Sequence, residues 1–212
     1  MAWDLLEENF ADLTDWADGD TSDGVSQISP AGYLDQAVGA AGQAKIDQDI
    51  GTIGTGDYTV EFRVKPILLP TTQNVILVEA QTKSAYLQML SDGFEVYDGG
   101  QFNKTNYAWD SGTYYVVRYI VHNSQTDMDV YINGSLEATD VDCSRTTALD
   151  GLVQISLHDA NCHWSVDYLY IGAGQQVPST TSIKKVSGVE HASIKKIGGV
   201  AIGSVKKIAG VE

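Results

Sequence analysis

Residues 109–134 read WDSGTYYVVRYIVHNSQTDMDVYING, and the alternation inside this stretch decides the fold. Tyr115, Val117, Tyr119 and Val121 alternate with Val116, Arg118, Ile120 and His122 in a β-branched and aromatic run. That pattern predicts a strand over 114–122 with both faces at least partly covered. The polar run 123–127 forms a turn. Met128, Val130 and Ile132 then take one face and Asp129, Tyr131 and Asn133 the other, before Asn133-Gly134 supplies a hairpin turn. A lone hairpin is marginal in water, so a partner sheet must cover it.

Working outward, further strands are expected over 32–37, 44–50, 58–65, 74–80, 84–90, 94–97, 152–157 and 163–171, with turn formers between them. In 58–65 the apolar Tyr58, Val60, Phe62 and Val64 alternate with Thr59, Glu61, Arg63 and Lys65, the pattern of a half-buried strand. Residues 2–16 fit helical spacing through Leu6, Phe10 and Leu13, but an extended entry strand is the preferred reading. Asp15, Asp18, Asp20 and Asp23 sit in a stretch expected to be a solvated polar loop. Many short strands with no credible helix imply an all-β, two-sheet antiparallel sandwich.

Composition agrees. Among 212 residues, 21 Gly, 4 Pro and 11 Tyr favour short strands joined by Gly-bearing turns. The length suits one full core plus an appendage. A formal charge of −15 opposes binding to nucleic acid and to anionic membrane surfaces. No stretch approaches the ~20 apolar residues of a membrane span. The opening MAWDLLEENF has no basic segment before an apolar run, so export without a standard signal peptide is expected. Cys143 and Cys162 are too few for a disulfide framework. One bridge between them and two reduced structural thiols are both left open.

The Trp ahead of a long strand, the polar turn and the Val130-Tyr131-Ile132-Asn133-Gly134 strand end resemble the concanavalin A-like jelly roll of laminin G-like and laminarinase-like carbohydrate-binding modules. Phe10, Leu13 and Trp16 resemble the opening of such modules, and the 166–171 stretch resembles their closing strand. The resemblance covers roughly residues 5–174. It implies a jelly-roll sandwich over 1–174, and a calcium ion held by acidic groups between entry and exit strands, matched here by Glu8 or Asp12 and by Asp167. The competing reading is that those carboxylates accept backbone NH groups. Glycan binding in such modules stacks aromatic rings on sugar faces beside amide and carboxylate groups. The matching candidates are Tyr97, Asp98, Asn103, Asn106, Tyr107 and Trp109, in a loop expected over 98–110, with Trp164 as a further ring. Trp109 and Trp164 are equally readable as core rings.

Laminarinase-like enzymes place two glutamates and an aspartate on one strand, and a retaining hydrolase needs its carboxyls about 5 Å apart. No Glu-x-Asp-x-x-Glu arrangement exists here, and Gln154-Ile155-Ser156 lacks the histidine of the related lyases' Gln-Ile-His strand. A non-enzymatic protein is therefore expected. His122, His158, His163 and His191 have no spacing that recommends zinc.

Composition shifts after 172, and residues 175–181 read as a linker. Units starting at Ser182, Ser193 and Ser204 repeat with a period of eleven residues over 182–212. Gly188, Gly199 and Gly210 recur in each unit and oppose a helix, so short strands and turns are expected. Six lysines against Glu190 and Glu212 give this tail +4, which with −15 overall leaves −19 on residues 1–181. The units are too small to bury an apolar face alone. Ile183, Val186, Val189, Ile194, Ile197, Val200, Val205, Ile208 and Val211 are thus candidates for contacts with other copies of the chain. The repeats resemble Ile-Lys-Lys-x-x-Gly-Val repeats of bacteriophage tail-associated structural proteins. The favoured expectation is a structural or adhesion subunit of a virion or other extracellular assembly, with polysaccharide as a second partner. The alternatives are a monomeric carbohydrate-binding module and an unrecognised glycan-active enzyme.

Overall fold

The computed structural model describes residues 3–54, 56–69, 74–80, 83–122, 126–143, 151–158 and 160–176, with backbone alone over 74–80 and 83–84. It also describes the backbone of 185–186, 189–190, 196–197 and 200–201. The chain divides into two compact units, Met1–Gln176 and Val177–Glu212.

In the first unit the other strands are arranged on β4 (Leu34–Asp49). Its first half pairs with β14 (Cys162–Ala173), and its second half pairs with β13 (Leu152–Leu157). One strand thereby serves two antiparallel sheets. The first sheet, sheet A, runs β12 (Ser135–Asp142), β11 (Asp127–Ile132), β10 (Tyr115–Val121), β5 (Tyr58–Leu68), β14 and β4, with β3 (Thr21–Ile28) outside. The entry strand β1 (Leu6–Glu8) lies on β14 through Leu6↔Ile171 and Glu8↔Leu169, extended rather than helical. The second, sheet B, runs β4, β13, β6 (Asn74–Ala80), β7 (Lys83–Leu90), β8 (Gly93–Tyr97) and β9 (Phe102–Asn106), with β2 (Ala17–Asp18) on the other side of β4. The result is the all-β, two-sheet antiparallel sandwich that the alternation predicts, in the jelly-roll form that the resemblance implies. Among the described residues no helix is long and apolar enough to cross a membrane.

Residues 32–37 and 44–50, expected as separate strands, belong to the continuous β4. The chain changes sheets between Val38 and Ala44, where backbones approach too closely for side chains. A Cβ at Gly24 would lie 1.9 Å from the Gln43 carbonyl oxygen, and one at Gly42 (φ +120°) 2.2 Å from that of Thr21.

The predicted inward face of β10 and β11 is in the core: Val117, Tyr119, Val121, Met128, Val130 and Ile132 are all buried. The β11–β12 turn uses Asn133 at φ +50° and Gly134 at φ +81°, the positive pair that suits the twist of a two-residue hairpin. The expected half-exposure of β5 needs correction, because Thr59 and Glu61 on its outer face are also buried. The exit segment covers them: Gln176 N donates to Thr59 Oγ1, and Arg118 donates to the Gln176 carbonyl. Arg118 and Glu61 are cross-strand neighbours and form an ion pair, with the Tyr168 hydroxyl donating to the second Glu61 oxygen at 3.0 Å. Burial and the Glu61 charge raise the Tyr168 phenol well above its usual range.

The expected acidic loop over 15–23 instead contains β2 and the start of β3, and Asp20 is tied into the fold. Its carboxylate accepts from Ser26 N, Ser26 Oγ and Lys45 N. From there a chain of hydrogen bonds runs inward. Gln36 Nε2 donates to Ser26 Oγ (3.0 Å) and to the Ile155 carbonyl (3.2 Å), and Trp164 Nε1 donates to Gln36 Oε1 (2.8 Å). Gln36 and Trp164 are both fully buried, so this amide joins the two sheets from inside the core.

The two cysteines are buried thiols and are not bridged. Burial, and after it the neighbouring Cys143, raises the Tyr58 phenol, which sets Cys143 near the start of β5, whereas Cys162 precedes His163, which pairs with Leu68. They therefore sit toward opposite ends of β5, about 30 Å apart at strand rise, far beyond disulfide reach.

In the second unit, β15 (Lys185–Val186) pairs with β16 (Val189–Glu190), and β17 (Lys196–Ile197) with β18 (Val200–Ala201), in registers Val186↔Val189 and Ile197↔Val200. Two successive repeats thus form the same short antiparallel pair, in keeping with the strand-and-turn reading. Ile183, Ile194, Val205, Ile208, Val211 and the linker over 177–181 lie outside the described residues.

Replacing Gln36 by leucine leaves Trp164 Nε1 and the Ile155 carbonyl buried without their partner. A loss of about 1–3 kcal/mol is expected in urea unfolding. Tyr119→Phe is the internal contrast. The Tyr119 hydroxyl is buried and makes no hydrogen bond among the described residues, so its removal is expected to leave stability equal or higher.

Candidate functional site

Strand alternation sorts the second sheet into a core face and an outer face. Phe94 and Val96 of β8 point inward and are buried, so Glu95 and Tyr97 point outward, and cross-strand pairing puts Lys104 and Phe102 of β9 beside them. On β7, Leu87 and Met89 are buried in the core, which turns Tyr86 and Gln88 outward. Three rings consequently gather on the outer face, the two tyrosines half-buried and Gln88 beside them buried. Tyr97 and Phe102 lie 4.6 Å apart between centroids, and Tyr86 lies 5.7 Å from Tyr97 and 6.4 Å from Phe102. Phe102 keeps 46% of its surface exposed. Polar groups edge the cluster. Gln88 donates to the Tyr86 hydroxyl at 3.3 Å, and the turn beyond Tyr97 is held by Asp98, which accepts from Gly100 N and Gln101 N. Those backbone donors hold the Asp98 carboxyl below the usual carboxylate range.

Along β13, outward residues form a second polar row on this face. Gln154 Nε2 donates to Ser156 Oγ at 2.9 Å, Ser156 Oγ meets His158 Nε2 at 2.9 Å, and the Gln43 amide meets the same ring nitrogen at 3.2 Å. Ser156 thus stands on the outward face where the lyase pattern has histidine. Lys45 and Asp47 pair at 2.8 Å on the adjoining strand.

The six residues read as glycan ligands do not form one site. Residues 98–110 are a turn, the strand β9 and a loop rather than one loop, and β9 separates the candidates. Tyr97 and Asp98 are at one end of the β8–β9 hairpin. Asn106, Tyr107 and Trp109 are at the other, about 13 Å away at strand rise. Asn103 faces inward and donates to the Asp142 carbonyl at 3.2 Å, which ties β9 to β12 across the open edge of the sandwich. At the far end Tyr107, Trp109 and Tyr115 cluster, Tyr107 tilted and Tyr115 edge-on to the indole, with centroids 4.5 and 4.9 Å from Trp109. Trp109 Nε1 donates to the Gly93 carbonyl at 2.9 Å, and its ring lines a cleft of about 160 Å³ with Pro66, Leu68, Leu69 and Ser111. Burial and the nearby Glu137 charge raise the Tyr107 phenol. Trp164 lies in the core with no exposed surface. Tyr86, Gln88 and Phe102 were missed from sequence. Only their pairing register, invisible without the fold, shows that they meet Tyr97.

The calcium candidates have separate tasks. Glu8 accepts from Phe10 N and Trp16 Nε1, Asp12 accepts from Thr14 N, and Asp167 pairs with Arg63 from a bulge in β14. Two of the three therefore follow the competing reading, in which backbone NH groups satisfy the carboxylate. Among the described residues, donor atoms able to share one metal ion converge elsewhere, at His122, Asp127 and Asp140.

No family model and no curated protein sequence matches the chain. Solved structures do resemble it. A sialidase aligns with a TM-score of 0.62 at 12% identity over 80% of this chain, which spans 18% of the sialidase. The alginate lyase AlgAT5 of polysaccharide lyase family 7 aligns with a TM-score of 0.52 at 13% identity, over 77% of this chain and 96% of the lyase. The binding domain of botulinum neurotoxin DC in complex with SialylT aligns with a TM-score of 0.53 at 13% identity, over 81% of this chain and 48% of that one. At such identities the likeness establishes the sandwich fold.

The Asp98 turn offers a direct check on the aromatic end of the face. A depressed carboxyl pKa means that the charged, turn-holding form persists above the ordinary value of 3.8 and yields only as pH falls below it. Amide protection at Gly100 and Gln101 is expected to survive to below pH 3.8 in the wild type and to drop at all pH values in Asp98→Ala, read by hydrogen exchange.

Proposed function

We propose that this jelly-roll sandwich is a non-enzymatic adhesion module that binds polysaccharide on the outer face of its second sheet. In this reading the repeats of 182–212 join copies of the chain in a virion-borne or other extracellular assembly. The observation that carries the glycan part is the ring cluster Tyr86, Tyr97 and Phe102, displayed on the outer sheet face with Phe102 46% exposed. An exposed ring beside two half-buried tyrosine rings suits the apolar faces of sugar rings. The alginate lyase and the toxin domain bound to SialylT are named for glycan partners, which supports the reading by analogy of fold.

The self-association part rests on the repeats. A two-residue strand paired across two residues buries little, and short repeats gain order by stacking on neighbours. The tail's charge of +4 against −19 on residues 1–181 adds attraction between copies. The non-enzymatic reading is supported by the employment of the carboxylates nearest a strand-borne pair: Glu61 is locked to Arg118, and Asp129 accepts from Thr139.

Two measurements test these parts separately. In affinity electrophoresis or a glycan array, Tyr97→Ala with Phe102→Ala is expected to weaken retention by about tenfold, from the loss of stacking at two rings. Retention unchanged in that variant, or absent for every polysaccharide, removes the glycan reading. Deleting residues 177–212 is expected to turn an oligomer into a monomer in light scattering. A full-length chain that is already monomeric at high concentration leaves a carbohydrate-binding module alone.

A further inference from the structure

Where β10, β11 and β12 meet, three ligand-bearing side chains converge, and a fourth, Asp129, lies beside the histidine. His122 follows β10, Asp127 and Asp129 are on β11, and Asp140 is on β12. His122, Asp127 and Asp140 each offer an atom within 4.8 Å of the others. His122 Nε2 also lies 3.8 Å from Asp127 Oδ1 and 3.5 Å from Asp129 Oδ2. That nitrogen is shut off from solvent and makes no hydrogen bond. Both carboxylate distances are too long for one, since such bonds run to about 3.2 Å. They are close to the separation of donors around a shared cation. Ligands about 2.0–2.2 Å from a tetrahedral metal lie about 3.3–3.5 Å from one another.

The backbone is bent to make this convergence. Between Met128↔Val141 and Tyr131↔Leu136 the β11–β12 register slips twice, and the extra residues include Thr139 and Asp140, the latter at φ +50°. Thr139 Oγ1 and Asp140 N both donate to Asp129 Oδ1, at 2.8 and 3.1 Å, which leaves Oδ2 aimed at the histidine. At the ring's other nitrogen, Gln175 Nε2 meets Nδ1 at 3.3 Å and also donates to Asp57 Oδ2 at 2.8 Å.

We propose that His122, Asp127, Asp129 and Asp140 form a binding site for a divalent transition-metal cation of the zinc class, which clips the exposed edge strand β12 to its sheet. One imidazole among carboxylates favours such a cation over calcium, whose sites are built from six to eight oxygens. With the cation on Nε2 the ring proton resides on Nδ1, so the Gln175 amide nitrogen gives up that position and keeps its bond to Asp57. The site joins three strands at the edge of the sheet, where most side chains of β12 are exposed.

The test uses the full chain with zinc chloride as the probe. Because His158, His163 and His191 offer background binding, the quantity of interest is the difference between the wild type and site variants in isothermal titration. The wild type is expected to bind one equivalent more than His122→Ala, and to weaken by at least about tenfold in Asp140→Asn, whose exposed position keeps the fold intact. Zinc is expected to raise the wild-type melting temperature and to shift the side-chain nitrogen resonances of His122, with calcium doing neither. Zinc binding that is absent from the wild type, or equal in both variants, overturns the proposal. A His122 shift produced by calcium in place of zinc overturns the metal class.

Discussion

The sandwich depends on one buried amide. Gln36 sits on β4 between Ser26 and Trp164, accepts from the indole, and donates both to Ser26 and to the Ile155 carbonyl of the opposite sheet. A strand that leaves one sheet and enters another has to be held at a single angle and register, and apolar packing by itself is non-directional. The amide adds direction. Its bonds lie in a fully buried setting, where leaving any of them unmade costs more than making them gains. Asp20 extends the same network to the surface and to Lys45 N on the second half of β4, so the turn from one sheet to the other is spanned on both sides.

With the core committed to joining sheets, recognition falls to the outer faces and edges. The second sheet shows rings and amides outward from β7, β8 and β9. The first sheet carries the chain's own exit residues Gly174 and Gln176 on its outer face, pinned by Thr59 and Arg118. The buried Glu61–Arg118 pair is best understood as that anchor. Two desolvated charges contribute little net stability, but they fix where the segment must lie if both are to stay paired. Bulges divide the remaining tasks: the one in β14 turns Asp167 to Arg63, and those in β12 turn Asp140 to His122.

Legibility from the sequence followed burial. In 115–121 and 127–132 one face is wholly apolar, and period-two alternation gave strand, face and hairpin turn together. β9 reads FNKTN and has no apolar face to announce it, because its exposed side meets solvent and its inner side carries Asn103 and Thr105. β3 was hidden for the same reason: TSDGVSQI is an outer strand with most positions exposed. The ligand candidates split because a contiguous stretch was taken as a contiguous site. A strand five residues long carries its two ends well apart.

The sequence by itself determined the all-β class, the inward sets of β5, β10 and β11, the Asn133-Gly134 turn and the eleven-residue repeats, since each is a local pattern of side chains at period two or at fixed spacing. Only the tertiary structure decided that Gln36 meets Trp164, that Tyr97 meets Tyr86 and Phe102, and that Cys143 and Cys162 lie too far apart to bridge. Those outcomes rest on strand order and register between segments up to 128 residues apart in the chain. A one-residue slip would undo both side-chain meetings without altering any local pattern, while the cysteines would stay far apart.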